Sequence, residues 1–224
     1  MSDLRLVVFD VDGTLIDSQG HILAAMQAAF ADQGLDCPAR ETVLSIVGLS
    51  LEQAFAHLVP GASSTTRTAL SDAYKHAFAD LRKQGRVASP LYPGIQELLD
   101  RLTRRDDVLL GVATGKSRRG LASVLETHGL ERHFVTLQCA DDHPSKPHPS
   151  MVQAALSETG LEPGQAVMVG DTSFDIEMGR AAGLATVAVT WGYHPATALQ
   201  QATHVVERPE ALEPTILTCL ERAP

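Results

Sequence analysis

Five short runs of continuously apolar, largely β-branched residues recur along the chain, at 4–9, 108–113, 134–137, 166–169 and 185–189. A strand with one wet face alternates apolar and polar side chains. Runs that are apolar throughout bury both faces, as in a parallel sheet covered by helices. Between the last four runs, stretches 117–128, 149–159 and 174–182 have helix-like spacing. The order strand, helix, strand predicts a doubly wound α/β core.

The interval 16–85 breaks this rhythm. It has no strand-like run and three helix-like segments, at 21–33, 51–58 and 66–83. Ser50 followed by Gln53 predicts a capping box for the middle one, and Gly34 and Gly85 stand where helices should stop. Core alternation resumes at Leu91-Tyr92-Pro93-Gly94. The expected division is a discontinuous core, 1–15 with 86–224, and an inserted all-helical cap, 16–85.

Composition narrows the function classes. The 224 residues are 44% hydrophobic and 20% charged, enough to bury a core. The formal charge of −9, with no Lys/Arg-rich run, argues against nucleic acid or an anionic membrane as partner. An anionic substrate would need a cation and a few placed Lys or Arg side chains. The first apolar run stops at Asp10, too short for a signal or membrane segment, so a cytoplasmic location is the default expectation. Cys37, Cys139 and Cys219 are far apart, suggesting neither disulfides nor a thiolate metal site.

In open parallel sheets, ligands bind beyond the carboxyl ends of the strands. Four apolar runs lead into specific polar residues: Asp10-Val-Asp12-Gly-Thr14, Thr114-Gly115-Lys116, Lys146-Pro-His-Pro149 and Gly170-Asp171-Thr-Ser-Phe-Asp175. On extended backbone, Asp10 and Asp12 would point to one side of the strand. At about 4 Å, two like charges repel by on the order of 4 kcal/mol at an effective dielectric of about 20, and Asp171 and Asp175 would add to that. Such a cluster calls for a cation. All-oxygen ligation with room for phosphate suits Mg²⁺ better than zinc.

These four elements, in this order and spanning the chain, resemble the signature of the haloacid dehalogenase superfamily of phosphotransferases, and the helical insertion is similar to its common cap. The resemblance implies that Asp10 attacks phosphorus and carries the phosphoryl group, while Asp12 is general acid and base and lends its backbone carbonyl to the metal. It also implies that Thr114 binds a phosphoryl oxygen, Lys146 neutralises charge, and Asp171, supported by Asp175, holds Mg²⁺. Phe9 and the amides after Asp10 would add support. Within that superfamily, the resemblance implies that a carboxylate at Asp12 favours phosphate ester hydrolysis or a related phosphomutase over dehalogenation. The TGK, SKPHPS and GDTSFD wording looks similar to the phosphoglycolate phosphatase-like branch, which pyrophosphatases and sugar-phosphate phosphatases share. A small phosphorylated metabolite is the expected substrate; a β-phosphoglucomutase-like transferase and a pyrophosphatase are the alternatives.

Other readings compete at single positions. Asp175 could cap the helix dipole instead of supporting a metal. Gly111 to Ser117 is one residue short of a nucleotide-binding P-loop, and Asp10 to His21 has the wrong glycine and final residue for a calcium loop. Ser50 lacks the second glycine of a hydrolase elbow. His143 and His148 flank Lys146, with Pro149 suited to the first helical position. Around the substrate, the candidates are Gly115, His21 and Gly48, with Arg40, Arg67, Lys75 and His76 further out in the cap.

Overall fold

The computed structural model describes residues 4–85 and 88–221. Six parallel strands form one sheet: β1 (Arg5–Phe9), β2 (Val108–Thr114), β3 (Thr136–Cys139), β4 (Ala166–Gly170), β5 (Ala185–Val189) and β6 (His204–Val206). Their order is β3-β2-β1-β4-β5-β6. The sheet grows outward in both directions from β1, so the crevice between β1 and β4 is a switch point. Phe9 is in register with Val112 of β2 and Val169 of β4. That register brings the three strand ends to one level.

Both sheet faces are covered. Val7, Phe9, Val112, Val167 and Val169 pack into one apolar cluster, and Leu6, Val8, Ala113 and Met168 into another on the opposite face. The first cluster takes in α5 (Ile95–Thr103) and α9 (Leu212–Glu221) through residues such as Leu98, Leu102 and Ile216. The second takes in α7 (Ser150–Thr159) and α8 (Ser173–Ala181) through Met151, Val152 and Met178. α6 (Arg118–His128) joins the first cluster through Leu121 and Leu125. The expected parallel, two-sided core is present.

Between β1 and α5, apart from isolated bridges of Ile16 to Asp12 and Leu91, the elements among the described residues are helices: α1 (Gln19–Asp32), α2 (Arg40–Leu44), α3 (Leu51–Leu58) and α4 (Ser64–Lys83). They surround an apolar cluster of their own, centred on Met26, Phe30, Phe55 and Leu70. The chain turns after α1 at Gly34 and after α4 at Gly85, with φ +64° and +61°. The expected resumption of the core at residue 86 lies outside the described residues.

Three local expectations are corrected. Ser50 precedes α3, but its side chain makes no capping bond. Its backbone N–H donates instead to Ser145 Oγ across to the core, 2.8 Å away. The third strand begins at Thr136, two residues later than the apolar run; Val135 is 58% exposed, and its N–H donates to the Leu110 carbonyl of β2 ahead of the paired residues. Pro149 stands at the N-cap and not inside α7, its carbonyl accepting from the Gln153 N–H. Among the described residues, no helix is long and apolar enough to cross a membrane.

Candidate active site

β1 delivers Asp10 to the carboxyl edge of the sheet, where the Asp10 N–H still donates to the Val169 carbonyl of β4. From the far side of the crevice comes Lys146, a lysine only 2% exposed. Its Nζ donates to Asp10 Oδ1 at 2.7 Å and to Asp175 Oδ1 at 2.6 Å. Asp175 is fixed by α8 itself: its Oδ2 accepts from the Thr172 N–H and hydroxyl at 3.0 and 2.7 Å, while Thr172 caps the Asp175 N–H. One Asp175 oxygen thus serves the helix cap and the other accepts from Lys146.

Asp171 completes the group. Thr14 Oγ1 and the Tyr193 N–H each donate to its carboxylate at 2.8 Å. Gly13 (φ +86°) and Gly192 press against the same carboxylate, and a Cβ at either would overlap it. Carboxylate oxygens of Asp10, Asp171 and Asp175 lie within 4.8 Å of one another. Two of these three buried carboxylates, Asp10 and Asp175, share the Lys146 ammonium.

The electrostatics of the group are dominated by burial. Burial pushes the Asp10 carboxyl up to about 7, although Lys146 pulls against it. Burial together with Asp175 and Asp10 raises the Asp171 carboxyl well above the usual range. For Lys146, burial favours the neutral amine, but Asp10 and Asp175 outweigh it and keep the side chain protonated. Asp10 Oδ2 is buried without a hydrogen-bond partner among the described residues. An excess of buried acid beside an unpartnered carboxylate oxygen fits a divalent cation bound through oxygen.

Asp12 departs from the sequence reading. β1 ends at Phe9 and Asp12 bridges to Ile16, so strand alternation no longer sets its direction. Its side chain lies outside the acidic trio and is held by Lys116, whose Nζ donates to both carboxylate oxygens at 2.7 Å, and by the Ser18 hydroxyl. Lys116 is the residue that the sequence reading leaves without a role. The available signal was its place one step beyond Thr114-Gly115 at a strand end.

A cavity of about 230 Å³ lies between these strand ends and the helices above. Asp10, Asp12, Thr114, Gly115, Lys116 and Gly48 all border it, as does Lys75. Gly115 permits a close seam, since a Cβ there would stand 2.6 Å from the Gly48 carbonyl oxygen and 2.7 Å from that of Leu49. Further along the seam, His194 Nε2 bonds the Ser45 carbonyl at 3.1 Å and Tyr193 Oη bonds Ser18.

Several candidates lie away from the cavity. His21 is buried, stacked on Phe78 at 3.9 Å with its Nε2 on the Phe78 carbonyl, and burial lowers its pKa. It joins α1 to α4 behind the wall and does not line the space. Arg40 bonds Gln19 on the surface. Arg67 and His76 border no part of the cavity. His143 is tied to Gln138 and Ser150, and His148 accepts from the Ser150 N–H, so both brace the start of α7.

The fold and this site define an α/β enzyme with a buried acidic centre at the switch point of its sheet. Residues 7–189 match the family model for haloacid dehalogenase-like hydrolases, and the chain belongs to that family. It is 36% identical to the probable phosphatase IndB of Dickeya dadantii, covering 88% of this chain and 86% of that protein. It is 34% identical to pyrophosphatase PpaX of Bacillus pumilus, with 85% of each covered, and 30% identical to phosphoglycolate phosphatase of Pasteurella multocida, with 87% and 89% covered. Among solved structures, a haloacid dehalogenase-like hydrolase from Streptococcus pneumoniae superimposes with a TM-score of 0.80 at 26% identity, over 96% of this chain and 99% of that one. The chain is a phosphatase of this family, acting on a phosphorylated substrate.

Proposed function

We propose that the protein is a Mg²⁺-dependent phosphomonoesterase that hydrolyses a small phosphorylated metabolite through a phosphoryl group carried on Asp10. The observation behind this reading is the Asp10 carboxylate, with one oxygen bound to Lys146 and the other buried without a protein partner beside the cavity.

In the first displacement an Asp10 oxygen attacks phosphorus and the bond from phosphorus to the ester oxygen breaks. Asp12 gives its proton to that leaving oxygen. In the second, water attacks the aspartyl-phosphate, Asp12 takes the water's proton, and the Asp10–phosphorus bond breaks to release inorganic phosphate. Thr114 donates to a phosphoryl oxygen, and Lys146 holds its charge beside both Asp10 and the incoming phosphoryl group. Asp10, the Asp12 backbone carbonyl and Asp171, with Asp175 supporting, would hold Mg²⁺. When bound, the metal supplies positive charge that offsets both the carboxylate excess and the charge on the phosphoryl oxygens.

Residues 16–85 act as a cap that shields the site from bulk water, and 1–15 with 86–224 as the core that carries out the chemistry. A closed cap excludes nucleic acids and large substrates. The relatives' names cover phosphoglycolate and pyrophosphate, so membership of the family does not by itself select a substrate.

Phosphate release from a panel of small esters tests this, with Mg²⁺ against chelator and wild type against Asp10→Asn. Release that needs Mg²⁺ and disappears in the variant is expected. Full activity in the variant, or Mg²⁺-independent release, would overturn the reading.

A further inference from the structure

We infer that the substrate is a phosphate monoester whose alcohol part is an apolar, ring-sized body. This rests on the phosphatase reading and narrows it. The cavity has two unlike ends. Asp10, Asp12, Thr114 and Lys116 border it from the core. Above them the wall is mostly hydrocarbon, from Met26 of α1, Ile46, Val47 and Leu49 of the turn before α3, Ala54 of α3 and Phe78 of α4, with Tyr74 and Lys75 of α4 as polar neighbours.

Most of these side chains also belong to the apolar cluster of the helices, but here they border open space next to the phosphoryl end. The wall is held there by backbone contact. The Gly48 and Leu49 carbonyls sit on Gly115, and the Ser50 N–H is bound to Ser145. At about 230 Å³ the space equals roughly seven or eight waters of liquid, more than a phosphate group alone needs.

This lining discriminates by chemistry. A hydroxyl of a glycerol or sugar phosphate that lies against those six side chains gives up water and gains no donor or acceptor from them, the polar side chains on the lining outside the phosphoryl end being Tyr74, Lys75, Arg82, Ser117 and Arg119. An alkyl or aryl body instead gains from every apolar area it hides. Arg82 and Arg119 also border the cavity and make no ion pair with a carboxylate among the described residues. In a chain of net charge −9 they provide local attraction for a dianionic ester.

The experiment compares kcat/KM, in Mg²⁺, for ethyl, butyl and 2-phenylethyl phosphate with glycerol phosphate and phosphoglycolate. The alkyl alcohols are similar leaving groups, so differences among them report on the pocket. Each buried methylene should raise kcat/KM roughly three- to fourfold, making butyl about tenfold better than ethyl and 2-phenylethyl phosphate better still. A flat series, or preference for phosphoglycolate or glycerol phosphate, overturns the inference while leaving the phosphatase reading intact. In parallel, calorimetry compares 2-phenylethylphosphonate with ethylphosphonate. Tighter binding of the phenylethyl compound by about tenfold or more, with a negative heat-capacity change, supports the pocket even if no ester is cleaved. Equal affinities count against it.

Discussion

Lys116 Nζ lies 2.7 Å from each carboxylate oxygen of Asp12, so the strand end that carries Thr114 also holds the side chain proposed as general acid and base. The pair is largely enclosed, with side-chain exposures of 9% and 12%. The ammonium also lies over the Phe78 ring, 5.2 Å from its centre. A charged hydrogen-bonding pair of this kind contributes about 1.5–3 kcal/mol. Lys116→Ala is expected to lower kcat roughly ten- to a hundredfold. Because Lys116 is outside the acidic trio, Mg²⁺ affinity should stay near the wild-type value. Steady-state kinetics with a Mg²⁺ titration would check both, and a variant with normal kcat would remove Asp12 positioning from the account.

Among the described residues, Lys146 is the one cation paired with Asp10 and Asp175, and all three side chains are buried. Removing one partner of a buried ion pair leaves charge uncompensated, at a cost of about 3–5 kcal/mol. Lys146→Met should show that loss in urea unfolding with chelator present and should have no measurable activity. Mg²⁺ should restore part of the stability, since it supplies positive charge to the same carboxylates. A loss under about 1 kcal/mol would mean that the acidic group tolerates its own repulsion.

Metal and protons compete at this group. Burial raises the Asp10 carboxyl from an ordinary 3.8 to about 7 in the folded chain, and raises that of Asp171 in the same direction. Between those values the folded chain binds more protons than the unfolded one. Without metal, its stability is therefore fullest at the acid end of the window and falls as pH rises through about 7. Mg²⁺ takes the deprotonated form, so its stabilising effect should grow over the same interval. Melting temperatures with and without Mg²⁺ should differ much more at about pH 8 than at about pH 5. An equal Mg²⁺ effect at both would contradict proton competition.

How much of this was legible in the sequence depends on the range of the contacts involved. Strands β1, β2, β4 and β5 announce themselves because burial on both faces leaves continuous apolar runs. β6 has only the three residues His204, Val205 and Val206, with Val205 46% exposed, and carries no such run. The amphipathic pattern of Ile95, Leu98, Leu99 and Leu102 in α5 was available, but lies outside the alternation read between the later strands. Asp10, Lys146, Asp171 and Asp175 were legible as polar residues following apolar runs. The pairing of Asp12 with Lys116 was not, because it spans two strand ends and depends on where the chain turns after Phe9. His21 misled for the reverse reason: a buried histidine packed on Phe78 looks, in sequence, like one facing a ligand.

The central claim is that Asp10 carries the phosphoryl group, and trapping it is the most direct measurement. Wild type turning over a phosphate ester in Mg²⁺ would be quenched in acid and its peptides mapped by mass spectrometry, alongside Asp12→Asn, in which release of the phosphoryl group should be slowed. The account predicts one phosphoryl group on the peptide containing Asp10, accumulating further in Asp12→Asn and absent from Asp10→Asn. Phosphate on another residue, or steady turnover with Asp10 unmodified in both proteins, would contradict it.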